Sequence, residues 1–187
     1  MADTCLSAID ELTAALREFR LLAPSVDEIA EVIVGALRAG NKVLACGNGG
    51  SAAAASHLAE ELVGRYKSGR RSLPAISLAA DPALITCIAN DFGYESIFSR
   101  QIEGLAKHGD TVVAFSTSGN SPNLLKALDA AQTAGAVSVA LLGKTGGAMA
   151  GKADHEVVVP SNSTARIQEL HTLILHSWLD RIEAEFL

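Results

Sequence analysis

The stretch KVLACGNGGSAAAASHLAEELVG, Lys42 to Gly64, carries the reading of the fold. It opens on a short apolar run, Lys42 to Cys46, turns through Gly47-Asn48-Gly49-Gly50, and passes at Ser51 into a segment of helical length. A strand, a glycine turn and a helix form the first part of a βαβ unit, whose crossover lays the next strand parallel to the first. Ligands of such sheets bind beyond the carboxyl ends of the strands. Glycines let a ligand approach the backbone closely, and a helix start presents N–H groups that attract anions. The turn is built as a phosphate cradle, with Asn48, Gly49, Gly50 and Ser51 as its candidate contacts.

The alternation continues outward. Apolar runs recur at Ala75 to Ala79, Thr111 to Phe115, Val137 to Leu142 and His155 to Val159, most of them separated by segments of helical length. Upstream, Leu6, Ile9, Leu12, Ala15 and Leu16 recur at helical spacing. So do Ile29, Ile33 and Leu37, in a segment with Ser25 as candidate cap and Gly40 as candidate terminator. Thr164 to Phe186 closes the chain with Ile167, Leu170, Ile174, Leu175, Trp178 and Ile182 on or near one face of a long helix. The expectation is a single α/β domain over 1–187. It comprises N-terminal helices over 1–40, a parallel core over 41–160 covered by helices on both faces, and a C-terminal helix over 161–187.

Composition agrees. The chain has 187 residues, 49% hydrophobic, 19% charged and only 4% aromatic, which suits a sheet packed closely against helices and excludes a disordered chain. A net charge of −6, with no basic run carrying aromatics, argues against nucleic acid as a partner. No apolar run is long enough to span a bilayer and no basic n-region precedes one, so a cytoplasmic protein is expected. Cys5, Cys46 and Cys87 form no CxxC pair and read as reduced, buried thiols.

A second loop repeats the logic of the first. After Thr111 to Phe115 comes Ser116-Thr117-Ser118-Gly119-Asn120-Ser121, with Pro122 where a first helical residue sits and Ser121 as the natural N-cap. Either loop alone is ordinary turn chemistry, but two of them after strands of one sheet point to a ligand. Neither has a GK[ST] nor the GxGxxG spacing, so a nucleoside triphosphate or dinucleotide is disfavoured. Hydroxyls of Ser116, Thr117, Ser118 and Ser121, with backbone amides, suit a small sugar phosphate.

Groups able to move protons lie on two helical segments. His57 and Glu61 are four apart, on one face of the helix that begins near Ser51. Gln168 and His176 stand about two turns apart on the closing helix. Singly, each has a plain explanation as a core histidine, a solvated acid or a surface amide.

Jointly, GNGGS, STSGNS, the NDFG of Asn90 to Gly93 and the RIQELH of Arg166 to His171 resemble the sugar isomerase (SIS) domain, and within it the phosphoheptose isomerases, over essentially the whole chain. The resemblance implies a five-stranded parallel sheet and a homotetramer. It implies conversion of sedoheptulose 7-phosphate to D-glycero-D-manno-heptose 7-phosphate, the first step toward nucleotide-activated heptose for bacterial lipopolysaccharide. Carried over position by position, it makes His57, Glu61, Gln168 and His176 the ligands of one Zn²⁺ per subunit. Glu61 becomes the base at one carbon and His176 the carrier of the second proton, while Asn90, Asp91, Glu61 and Gln168 contact the sugar. Imidazoles with a carboxylate also suit zinc better than magnesium.

Ala54 departs from the family, whose members commonly carry an acid there. The competing readings are an isomerase of another sugar phosphate and a non-catalytic SIS protein that binds the replication initiator. The latter lacks the acid and histidine found here at Glu61 and His176, and its loop reads STRGNS.

Overall fold

The computed structural model describes residues 4–187. Its strands are β1 (Val43–Gly47), β2 (Ala75–Ser77), β3 (Thr111–Ser116), β4 (Val137–Leu142) and β5 (His155–Val158). Its helices are α1 (Thr4–Phe19), α2 (Ala23–Arg38), α3 (Gly50–Val63), α4 (Pro82–Phe92), α5 (Ser99–Leu105), α6 (Pro122–Ala134) and α7 (Thr164–Phe186). The strands pair in the order β2-β1-β3-β4-β5, every pair parallel.

Every residue of β1 and β3 is buried, as a sheet covered on both faces requires. Alternate side chains separate the two cores. Val43, Ala45, Val113 and Phe115 pack with α1, α2, α3 and α7, while Leu44, Cys46, Val112 and Ala114 pack with α4, α5 and α6. Trp178 of α7 is fully buried, and its indole Nε1–H donates to the Val26 carbonyl of α2 at 3.0 Å. The long closing helix is therefore part of the core. Among the described residues, no helix is long and apolar enough to cross a membrane.

After β1 the chain crosses to β2 at one side, and after β3 it crosses to β4 at the other. The crevice between these diverging connections is where open α/β sheets bind ligands. The register sets Gly47 beside Phe115, so the two loops leave the sheet side by side.

Several local expectations are corrected. β1 starts at Val43 because the Lys42 N–H donates to the Asp110 carboxylate at 2.9 Å. Asp110 is buried, which works against its charge, yet bonds from Lys42 and Lys107 hold its carboxyl below the usual range. β3 runs on to Ser116, whereas β2 stops at Ser77 and β5 at Val158. Ser25 does not cap α2. Helical backbone continues from α1 through a tight turn at Arg20–Leu22, leaving Leu22 in the helical region as the N-cap residue with Pro24 just inside. Gly40 does end α2, with φ +82°, its N–H donating to the Leu37 carbonyl at 3.1 Å and that of Asn41 to Ala36 at 3.0 Å. Cys46 is buried and its thiol is pushed up to about 12 by burial, but Cys5 and Cys87 are exposed. Cys87 sits on the solvent face of α4 in a segment whose apolar run reads as interior.

His171 of α7 is buried and bonds the Leu142 carbonyl through Nε2 at 3.2 Å, while its Nδ1 meets no partner. Burial drives its pKa from 6.5 down to about 4, partly offset by the Leu142 bond. The folded protein resists protonation there and the unfolded chain does not. Stability is therefore intact above about pH 6.5 and falls as pH drops toward 4, by up to about 3 kcal/mol from this group. Urea unfolding of the native protein and His171→Leu from pH 7 to 4 checks this, with the variant expected to lose less stability over that range.

Candidate active site

The loop after β1 holds itself in shape. Gly49 is the N-cap residue of α3, and the N–H groups of Ser51 and Ala52 donate to the carbonyls of Asn48 and Gly49, both at 3.0 Å. The helix thus starts at Gly50, one residue ahead of Ser51, which is buried. In the loop after β3, the Gly119 N–H donates to Ser116 Oγ at 3.0 Å and that of Asn120 to Ser118 Oγ at 3.3 Å. Ser121 occupies the N-cap position of α6 with Pro122 next, as expected, but its hydroxyl makes no capping bond. That hydroxyl is left for the crevice.

Ser51, Ser116, Thr117, Ser118, Ser121 and Asn48 line one small cavity of about 50 Å³, closed by Phe115 and Leu124. At about 30 Å³ per water its volume accommodates one or two waters, the scale of a small anionic group. The helices α3 and α6 both begin at this cavity, so two dipoles direct their positive ends to it. No charged side chain lines it.

The proton-moving groups assemble between α3 and α7. His57 Nε2 lies 3.3 Å from Glu61 Oε1, one turn apart on α3 as the spacing requires. The His176 ring meets His57 edge-on, with centroids 5.1 Å apart, and its other side stacks on Tyr66 at 5.7 Å. His57 thus contacts both Glu61 and His176. Gln168, two turns back on α7, lies against Gly50, where a Cβ would collide with its amide. Glycine at 50 lets α7 come within reach of the first turn of α3. Gln168 and His57 line a common cavity of about 390 Å³ with Ala53, Ala54, Ala165 and Thr172. Through Gly50, the α7 side of this groove abuts the start of the helix that carries Ser51.

Asn90 and Asp91 are not drawn into this cluster. They sit exposed in the last turn of α4, where Asn90 Nδ2–H donates to Asp91 Oδ1 at 2.7 Å. Arg65 is exposed and does not pair with Glu61. Instead Arg70 reaches the end of α3, donating from Nη2 to the Glu61 carbonyl at 2.6 Å and from Nη1 to Leu62 at 2.9 Å. His155 lies in the edge strand β5.

Four neighbours of the site carry no sequence signal strong enough to single out. Glu60 brings its carboxylate into ligand distance of His57 and Glu61, all within 4.8 Å. Tyr66 lies just beyond α3. Asn123 and Tyr94 both hydrogen-bond Asn48. Spacing from Pro122 could have suggested Asn123, which falls in the first turn of α6.

Two helix starts meeting at a neutral, hydroxyl-lined pocket, on the switch point of a doubly wound parallel sheet, define the class: an α/β protein shaped to hold a small oxyanion next to acid and imidazole groups. A family model described as the SIS domain matches residues 9–143. A phosphoheptose isomerase of Geobacter sp. (strain M21) is 51% identical over 164 residues, 88% of this chain and 85% of the relative. The structure of a phosphoheptose isomerase from Francisella tularensis matches with a TM-score of 0.94 at 36% identity, over 97% of each chain. One from Neisseria gonorrhoeae matches with a TM-score of 0.91 at 37% identity, over 97% of this chain and 98% of that one. The chain belongs to the phosphoheptose isomerases, a family of sugar-phosphate isomerases built on the SIS domain.

Ser118→Ala and Ser121→Ala each remove a hydroxyl from the small cavity. Each should weaken inorganic phosphate by about three- to tenfold in calorimetric titration, the worth of one hydrogen bond, with Tm nearly unchanged. Unchanged affinity in both variants would place the oxyanion elsewhere.

Proposed function

We propose that the protein interconverts sedoheptulose 7-phosphate and D-glycero-D-manno-heptose 7-phosphate by proton transfer through an enediol, opening the route to nucleotide-activated heptose. The observation that carries this reading is the contact of His57 with both Glu61 and His176 between α3 and α7, beside a groove that His57 and Gln168 line and that reaches Gly50 at the start of α3, the helix whose Ser51 lines the hydroxyl cavity. The family and its relatives' names support the substrate.

The phosphoryl group sits among Ser51, Ser116, Thr117, Ser118 and Ser121, and Asn48 joins them at the rim. Anchoring one end of the sugar leaves its carbonyl end to reach the α3–α7 groove, which turns proton transfer into a reaction of a positioned pair. The Glu61 carboxylate takes the proton from the carbon beside the carbonyl, and with a proton gained at the carbonyl oxygen this gives the enediol. His176 returns a proton to the neighbouring carbon, its ring held by Tyr66 on one side and His57 on the other. Gln168 hydrogen-bonds the sugar hydroxyls. Asn90 and Asp91 contact the sugar chain from the α4 side.

By its chemistry the donor set suits Zn²⁺, two imidazoles and a carboxylate with the Gln168 amide oxygen as a fourth donor. The ligand atoms already within 4.8 Å of one another are those of His57, Glu60 and Glu61, while the His176 ring lies 5.1 Å from that of His57 and Gln168 shares a cavity with His57. His57, Glu61, Gln168 and His176 would hold it, and it would supply Lewis-acid polarisation of the sugar oxygens. A homotetramer is supported by apolar side chains left in solvent on the N-terminal helices, Leu6 and Ile9 about half exposed and Leu21 84% exposed. Unpaired thiols at Cys5, Cys46 and Cys87 accord with a reducing cytoplasm.

Glu61→Gln keeps the shape and loses the base. Its turnover of sedoheptulose 7-phosphate should fall at least about a hundredfold with phosphate affinity retained. Near-normal turnover, followed by NMR, would remove Glu61 from the mechanism.

Chelation tests the metal separately. Metal-stripped protein should lose activity and several degrees of Tm, and Zn²⁺ should restore both. Full activity and stability without metal would exclude the ion.

A further inference from the structure

We propose that Asn123 and Tyr94 are positioning residues that orient the Asn48 side chain, so that an amide N–H and not its carbonyl faces the bound phosphoryl group. The inference rests on reading the hydroxyl-lined cavity as the phosphate site. Asn48 lines that cavity and Asn123 does not. Asn123 is 1% exposed and forms a reciprocal amide pair with Asn48: its Nδ2–H donates to Asn48 Oδ1 at 2.8 Å, and Asn48 Nδ2–H donates to Asn123 Oδ1 at 3.0 Å. The Tyr94 hydroxyl adds a third bond, donating to Asn48 Oδ1 at 3.0 Å.

The bond directions set the orientation: the Tyr94 hydroxyl, which can also accept, is here the donor to Asn48 Oδ1. A side-chain amide has two acceptor sites on oxygen and two N–H donors. Both acceptor sites of Asn48 Oδ1 are taken, by Tyr94 and Asn123, and one N–H is taken by Asn123 Oδ1. What remains is a single N–H. A carbonyl turned toward a phosphate would repel it, and no cation lines the cavity to compensate, so the direction of this one amide matters. The three residues come from the loop after β1, the start of α6 and the turn after α4, so the triad also sets the separation of the two loops.

The test is a mutant cycle read by calorimetry with inorganic phosphate as the probe. Tyr94 is 57% exposed, so Tyr94→Phe should fold normally. It should weaken phosphate about three- to tenfold in the native background and cause no further loss in an Asn48→Ala background. Asn123→Asp keeps the shape but cannot donate to Oδ1, and it should weaken phosphate more than Tyr94→Phe does. If that variant fails to fold, the Tyr94 cycle decides alone. An equal loss from Tyr94→Phe in both backgrounds, or none in the native one, overturns the proposal. If Ser118→Ala and Ser121→Ala weaken phosphate while Asn48→Ala and Tyr94→Phe do not, the cavity stands and the positioning role falls. If none of them changes affinity, the phosphate site falls and the role with it.

Discussion

The pairing of β1 with β3 is the constraint on which the site depends. β3 is the central strand and β1 its interior neighbour; both are fully buried, and they run in parallel with Gly47 level with Phe115. Because their connections leave in opposite directions, the loops that follow are neighbours in space while more than sixty residues apart in sequence. A slip of one residue would turn every side chain of one strand to the other core and carry its loop out of line with its neighbour. The two chemically distinct cores guard against it. Val113 and Phe115 on one side and Val112 and Ala114 on the other meet different helices, so the alternative register has no matching surface.

Upon that frame, α3 and α7 carry the reactive groups as rigid members of the core. Leu58 and Leu62 of α3 pack in the same cluster as Ile167, Leu170, Ile174 and Trp178 of α7, so the half-buried His57 and Glu61 project beside that packed face, and His57 meets His176 without a loop between them. The contact between Gly50 and Gln168 is where the two helices come closest to the crevice. Glycine is required there by crowding, not by backbone angle, and Gln168 supplies the crowding.

Much of this is legible in the sequence. The glycine turn after Cys46 and the serine run after Phe115 announced themselves, because glycine and hydroxyl residues clustered at the end of an apolar run have few other uses. The closing helix ran over the residues its periodicity indicated, Thr164–Phe186. The i, i+4 spacing brought His57 to Glu61 directly. The misses share one cause, contacts between segments distant in sequence. Asn123 pairs with a residue 75 positions away, and only a three-dimensional register could pick it from other amides. Ser25 looked like a cap because sequence shows the residue type but not that the preceding backbone is already helical. Cys87 looked interior because an apolar helical stretch does not say which face is turned to solvent. Asn90 and Asp91 are joined to the site by resemblance alone, their place being the exposed end of α4.

The neutrality of the small cavity has a further consequence for the conditions under which it works. Serine and threonine hydroxyls do not titrate in the physiological range, and a grip made of hydroxyls and helix N-termini contains no side-chain ion pair with the phosphate. Its strength should vary little with ionic strength, since added salt screens exposed charges far more than short hydrogen bonds in a recessed pocket. In a protein whose net charge is −6, that leaves the long-range field as the salt-sensitive part of phosphate capture, and salt would ease the approach of an anionic sugar by weakening this repulsion. Holding and approach thus answer to different variables: the first to local shape, the second to the ionic composition of the surrounding solution.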